Sequence, residues 1–129
     1  MNPAASRPRL LPSEKRQSLR LDKVFPVWIT SSEFGELQGV ARNISAGGIF
    51  VETPEPMPLG APVRVHFAMP ESDAEIIACG EVKNHYFLNY ADGPHGPTTM
   101  SGMGIRFTNF EDDGAESLER SLRRLRVLH

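Results

Sequence analysis

Arg16 and Arg20 are the first residues in this chain whose type and spacing could do chemistry. Residues four apart project to one side of a helical turn, and also to one side of an extended strand. Guanidinium is a planar fork of N–H donors. It pairs bidentately with phosphate or with the O6/N7 edge of guanine, and it stacks on flat bases. Two such forks on one side could grip a ligand carrying both phosphate and purine, and Lys15 adds a point charge. Downstream, Asn43-Ile44-Ser45-Ala46-Gly47-Gly48 interrupts a strand-like run with an amide, a hydroxyl and adjacent glycines. Glycines allow a sharp reversal and let main chain approach another body closely. Asn43 can donate and accept, and Ser45 offers a hydroxyl. Taken alone, each motif has a plainer reading. The arginines could be a solvated basic tail, and the glycine turn ordinary hairpin chemistry.

Other chemistries find little footing. His66, His85, His95 and His129 are scattered, and a single Cys79 cannot build a zinc site of the usual spacing. Ser45 lies beside glycines without a G-x-S-x-G elbow. Glu111, Asp112 and Asp113 stand where a helix start favours negative charge, so capping explains them better than acid–base catalysis. No catalytic residue and no metal are therefore expected. Cys79, in an apolar strand-like run, reads as a buried structural thiol in a reducing compartment. Trp28 alternates with Val27 and Ile29 and reads as barrel packing or covering. Single-stranded nucleic acid binding would require several exposed aromatics in a basic groove, and candidates are few, so no DNA or RNA partner is expected.

The elements that must position these residues follow from patterning. A chain of 129 residues suits one domain with one modest core. No apolar run approaches the ~20 residues of a membrane-spanning helix, and Met1 to Ser13 lacks the apolar centre of a signal peptide. The expected location is cytoplasmic, without membrane insertion. Net charge is -2, yet basic residues cluster near both termini. That distribution suits a small anionic ligand rather than a bulk polyanion, or is simply a solvated face.

Residues 1–14, with Pro3, Pro8 and Pro12, are expected to form a flexible tail, followed by a domain over 15–129. Lys15 to Asp22 reads as one helical turn or extended chain. Strands are expected over Val24 to Thr30, Leu37 to Ile44, Ile49 to Glu52, Val63 to Phe67, Glu75 to Phe87 and Gly102 to Thr108. Gly80 marks a possible bulge. Thr53 to Pro62 and Tyr90 to Ser101 read as loops. Leu118, Leu122 and Leu125 then form one apolar helical stripe, with Arg120, Arg123 and Arg124 off it. The sum is an antiparallel barrel with a helix covering one opening.

Arg16-x-x-x-Arg20 followed by Asn43-x-Ser45-x-x-Gly48 resembles the paired motifs of the PilZ domain family, bacterial receptors for cyclic di-GMP. Gly80-Glu81-Val82 is similar to that family's mid-barrel strand, and Gly102-Met103-Gly104-Ile105-Arg106-Phe107 to its closing strand. The resemblance covers roughly residues 14 to 128. It implies a six-stranded antiparallel PilZ-type β-barrel with a C-terminal α-helix, and a receptor rather than an enzyme. It further implies that Arg16 and Arg20 contact phosphate and guanine. Asn43 and Ser45 would hydrogen-bond a guanine edge, and Gly48 would leave room for the base. Lys15, Gly47 and Arg106 would be secondary contributors, the facing of Arg106 being left open by the sequence. Family members also use an aromatic from the strand after Gly80, where this chain has His85, Tyr86 and Phe87. Binding would draw the N-terminal arm over the barrel and signal to a downstream protein. The alternative is a PilZ-like domain that makes protein contacts without binding the dinucleotide.

Overall fold

A closed barrel requires each strand to turn alternate residues inward, and the sequence does so with few exceptions. The computed structural model describes residues 20–21, 24–70, 74–90 and 98–127. The elements are β1 (Arg20–Leu21), β2 (Phe25–Ser31), β3 (Gly35–Ser45), β4 (Gly48–Glu52), β5 (Pro62–Ala68), β6 (Glu75–Tyr90), β7 (Thr98–Phe110) and α1 (Gly114–Val127). Phe25, Val27 and Ile29 of β2 are buried, as are Val63, Val65 and Phe67 of β5, while their neighbours face out. Six long strands pair in the order β3-β2-β5-β6-β7-β4, and the β3–β4 hairpin closes the ring. Every pairing is antiparallel. Closure removes the exposed edges that an open sheet would present.

β1 is a short addition. It pairs with β3 through Arg20↔Ser45 and Leu21↔Ile44, so the chain is extended at these two residues. The expected flexible tail, Lys15 and Arg16 lie outside the described residues.

The helix plugs one end of the barrel. Asp113 is its cap residue by position, and its carbonyl accepts the Ser117 N–H at 2.9 Å. The stripe of Leu118, Leu122 and Leu125 is buried with the barrel core. Burying one such leucine contributes about 1.5–3 kcal/mol. The proline-rich loop between β4 and β5 is stitched to the wall rather than loose. Gly60 N–H donates to the Val82 carbonyl at 2.8 Å, and His85 Nε2 lies 2.7 Å from the Met57 carbonyl oxygen.

Three expectations need correction. The loop expected over Tyr90 to Ser101 ends earlier, because β7 already begins at Thr98, pairing with Tyr90. Small and β-branched residues there continue the ladder. Cys79 is half-buried rather than buried. It points outward, opposite Arg64 and Asn109, because Ala78 and Gly80 take the inward and crowded positions around it. The ladder does shift at Gly80, but the extra residue is Thr108 on β7. Gly80 is needed for a different reason: a Cβ there would lie 2.6 Å from the Arg106 carbonyl oxygen.

Candidate functional site

Antiparallel pairing turns opposed residues to the same face, so the register maps the outer wall directly. One row runs Arg20↔Ser45↔Gly48↔Arg106↔Glu81 across β1, β3, β4, β7 and β6. The next outward row runs Asn43↔Phe50↔Gly104↔Asn84, and a third Val40↔Glu52↔Gly102↔Tyr86. Residues separated by more than sixty positions in sequence thereby share one patch. Strands lie about 4.8 Å apart, so the Arg20 and Arg106 backbones are separated by about 14 Å along the row.

The placing of Asn43 depends on a bulge. Ala41 and Ile44 are both fully buried, although they are three apart and strict alternation would set them on opposite faces. The ladder passes from Ala41↔Val51 to Asn43↔Phe50, leaving Arg42 as the extra residue. Without that irregularity Asn43 would follow Ala41 inward. With it, Asn43 and Ser45 share the outer face, both half-buried. Arg42 turns aside to pair with Glu52, Nε to Oε1 at 2.7 Å.

The turn itself is held by its own side chain. Ser45 Oγ accepts the Gly47 N–H at 3.2 Å. That bond uses a lone pair, and the hydroxyl proton is a separate donating function. Gly47 also accepts, its carbonyl taking the Phe107 N–H at 2.9 Å. Gly47 is exposed with open space around it, since an added Cβ would meet only Ser45 Oγ at 4.0 Å. Gly48 differs. A Cβ there would lie 2.5 Å from the Ile105 carbonyl oxygen, so the barrel wall itself requires glycine at that position.

Two features were not apparent from the motifs. Phe50 and Tyr86 stack edge to face, ring centroids 4.6 Å apart at 65°. They lie over Gly102 and Gly104: Cβ atoms added there would meet Phe50 Cε1 at 2.9 Å and Tyr86 Cε2 at 3.2 Å respectively. Glycines two apart strip one face of a strand, and the rings fill the space they leave. The Gly-x-Gly spacing within a strand was the available sequence signal. Of Tyr86 and Phe87, Tyr86 is therefore the one that joins Asn43 and Ser45 on the outer wall; Phe87 is directed elsewhere and is 71% exposed. The second feature is Glu81. Its Oε1 lies 3.5 Å from Arg106 Nη2 and 3.4 Å from Lys83 Nζ.

The structure thus brings Asn43, Ser45, Gly47, Gly48 and Arg106 together, with the Arg20 backbone beside Ser45. Arg16 and Lys15 fall outside the described residues. Hydrogen-bonding side chains, an exposed guanidinium and flat aromatic faces together suit a planar anionic ligand. Among the described residues, no group of three or more His, Cys, Asp and Glu is arranged to hold a metal ion. No helix among them is long and apolar enough to cross a membrane.

A small closed barrel with one helical plug and a hydrogen-bonding patch on its outer wall defines a class, and comparison defines the family. The PilZ domain profile matches residues 14–124, and the chain belongs to that family. It is a family of cyclic di-GMP receptors, typically non-catalytic. The fold is similar to the PilZ domain with c-di-GMP of YcgR from Escherichia coli, with a TM-score of 0.70 at 15% identity, covering 88% of this chain and 93% of that one. It is also similar to the Bacillus subtilis inhibitor of motility MotI/DgrA, with a TM-score of 0.68 at 23% identity over 92% of this chain and 57% of that one. The MrkH–c-di-GMP complex of K. pneumonia gives a TM-score of 0.68 at 18% identity over 88% and 53%. This chain thus spans a little over half the length of the last two. No curated protein matches it significantly.

Proposed function

We propose that this protein is a cyclic di-GMP receptor whose ligand lies on the outer wall across β3, β4, β7 and β6. The observation that carries the reading is the register row from Arg20 through Ser45 and Gly48 to Arg106. It brings a cation-bearing strand and an exposed arginine to opposite ends of the Asn43–Gly48 turn. A dinucleotide with two phosphates and two guanines makes matching demands. Arg16, Arg20 and Arg106 would serve phosphate and the Hoogsteen edges of guanine. Asn43 and Ser45 would serve a Watson–Crick edge, and Lys15 would add charge. Tyr86, braced by Phe50, would give a base a flat apolar surface. Solved structures of similar fold include the YcgR PilZ domain with c-di-GMP and the MrkH–c-di-GMP complex.

Arg20 already stands at the edge of the patch, paired with Ser45. On binding, the segment carrying Arg16 would close over the ligand from there, changing the surface shown to a downstream protein. Isothermal titration calorimetry with cyclic di-GMP tests the receptor reading. Saturable heat supports it. A flat titration of folded protein leaves the rival reading, a PilZ domain used for protein contact alone.

A further inference from the structure

We propose that Glu81 is an internal competitor for the ligand, occupying Arg106 in the free protein and releasing it to a ligand phosphate. The inference rests on the cyclic di-GMP reading above and concerns how that site is tuned. Glu81 stands at the end of the row that contains Ser45 and Gly48, opposed directly to Arg106. Its Oε1 lies 3.5 Å from Arg106 Nη2. The contact is long, and the arginine side chain is 59% exposed, so the hold is weak and readily exchanged. Tight pairing would have removed Arg106 from any binding role.

The same carboxylate oxygen lies 3.4 Å from Lys83 Nζ. Lys83 is there because of a third bulge. The ladder passes from Val82↔Ile105 to Asn84↔Gly104, leaving Lys83 as the extra residue. Lys83 is exposed and shares the outer wall with Glu81, so the carboxylate has two cations rather than one. When Arg106 turns to a phosphate, Glu81 retains Lys83 as its counter-charge. The exchange therefore leaves no carboxylate facing the ligand without a cation. It also sets a threshold: an anion must compete with a carboxylate for the guanidinium, which favours phosphate diesters held by further contacts over free small anions.

The test is a double-mutant cycle read by calorimetry with cyclic di-GMP, using wild type, Glu81→Gln, Arg106→Gln and the double variant, each shown to be folded by its thermal transition. Glu81→Gln should bind roughly two- to fivefold more tightly than wild type, the scale of an exposed ion pair. The gain should disappear in the Arg106→Gln background. Unchanged or weaker binding by Glu81→Gln, with wild type binding normally, overturns the proposal and leaves the receptor reading standing. An equal gain in both backgrounds also overturns it, because overall charge rather than Arg106 would then be responsible. Absence of binding in wild type and Glu81→Gln alike removes the receptor reading, and the competitor role with it.

Discussion

Asn43 is neutral where a carboxylate could accept from both N1–H and N2–H of guanine with charge assistance. Asn43→Asp should therefore bind cyclic di-GMP several-fold more tightly in calorimetry, and unaltered affinity would place the guanine edge elsewhere. Arg20, whose backbone is paired with Ser45, makes the opposite prediction. Arg20→Ala should weaken binding by about 1.5–3 kcal/mol, the scale of hydrogen bonds to a charged group. Gly48 separates ligand effects from wall effects. Its added Cβ would meet the Ile105 carbonyl oxygen at 2.5 Å, backbone that cannot easily withdraw. Gly48→Ala should therefore lower stability by about 1–3 kcal/mol in denaturant unfolding, with or without ligand; an unchanged midpoint would mean that β4 and β7 can part at no cost. At this scale the sequence was informative about polar residues and left the supporting aromatic open among His85, Tyr86 and Phe87. Asn43 and Ser45 announce themselves by type and spacing. Tyr86 and Phe50 do not, because their meeting depends on β7 lying between their strands.

Strands and helix explain why those residues meet. Apolar alternation in β5 was legible, because Val63, Val65 and Phe67 alternate with Arg64 and His66. By contrast, β2 is apolar on both faces from Phe25 to Ile29, and its parity had to come from the fold. The leucine stripe of α1 was equally legible from its spacing of four and three. Leu122 is 2% exposed within the core, so Leu122→Ala should cost about 2–5 kcal/mol of stability in denaturant unfolding. A loss below 1 kcal/mol would mean that the helix is not a true plug of the barrel. Bulges were less legible. Nothing in Ala41-Arg42-Asn43 marks Arg42 as the extra residue, and the choice is made by which parity lets both Ala41 and Ile44 reach the core. Burial of Ile44 thus decides where Asn43 faces. The same logic governs Lys83, between inward Val82 and outward Asn84. Cys79 illustrates the reverse error: its apolar neighbours implied burial, yet its parity in β6 is outward.

For the molecule as a whole, the family was legible because two short motifs keep their order and separation around a barrel pattern. The proposed ligand patch was not fully legible, since it is assembled from strands far apart in sequence. Arg106 and Glu81, twenty-five residues apart, become neighbours only through the β6–β7 ladder. With a net charge of -2, the proposed attraction for a dinucleotide would have to be local. It would arise from a few cations around one patch, and salt screens such exposed charges. Binding should accordingly weaken as salt rises, without being abolished, because hydrogen bonds and ring contacts persist. The most direct measurement is calorimetric titration of the intact chain with cyclic di-GMP at fixed salt, run beside Arg20→Ala. Saturable binding by the wild type and clearly weaker binding by the variant are expected. A flat trace for folded wild type, or equal affinity for the two proteins, would contradict this expectation.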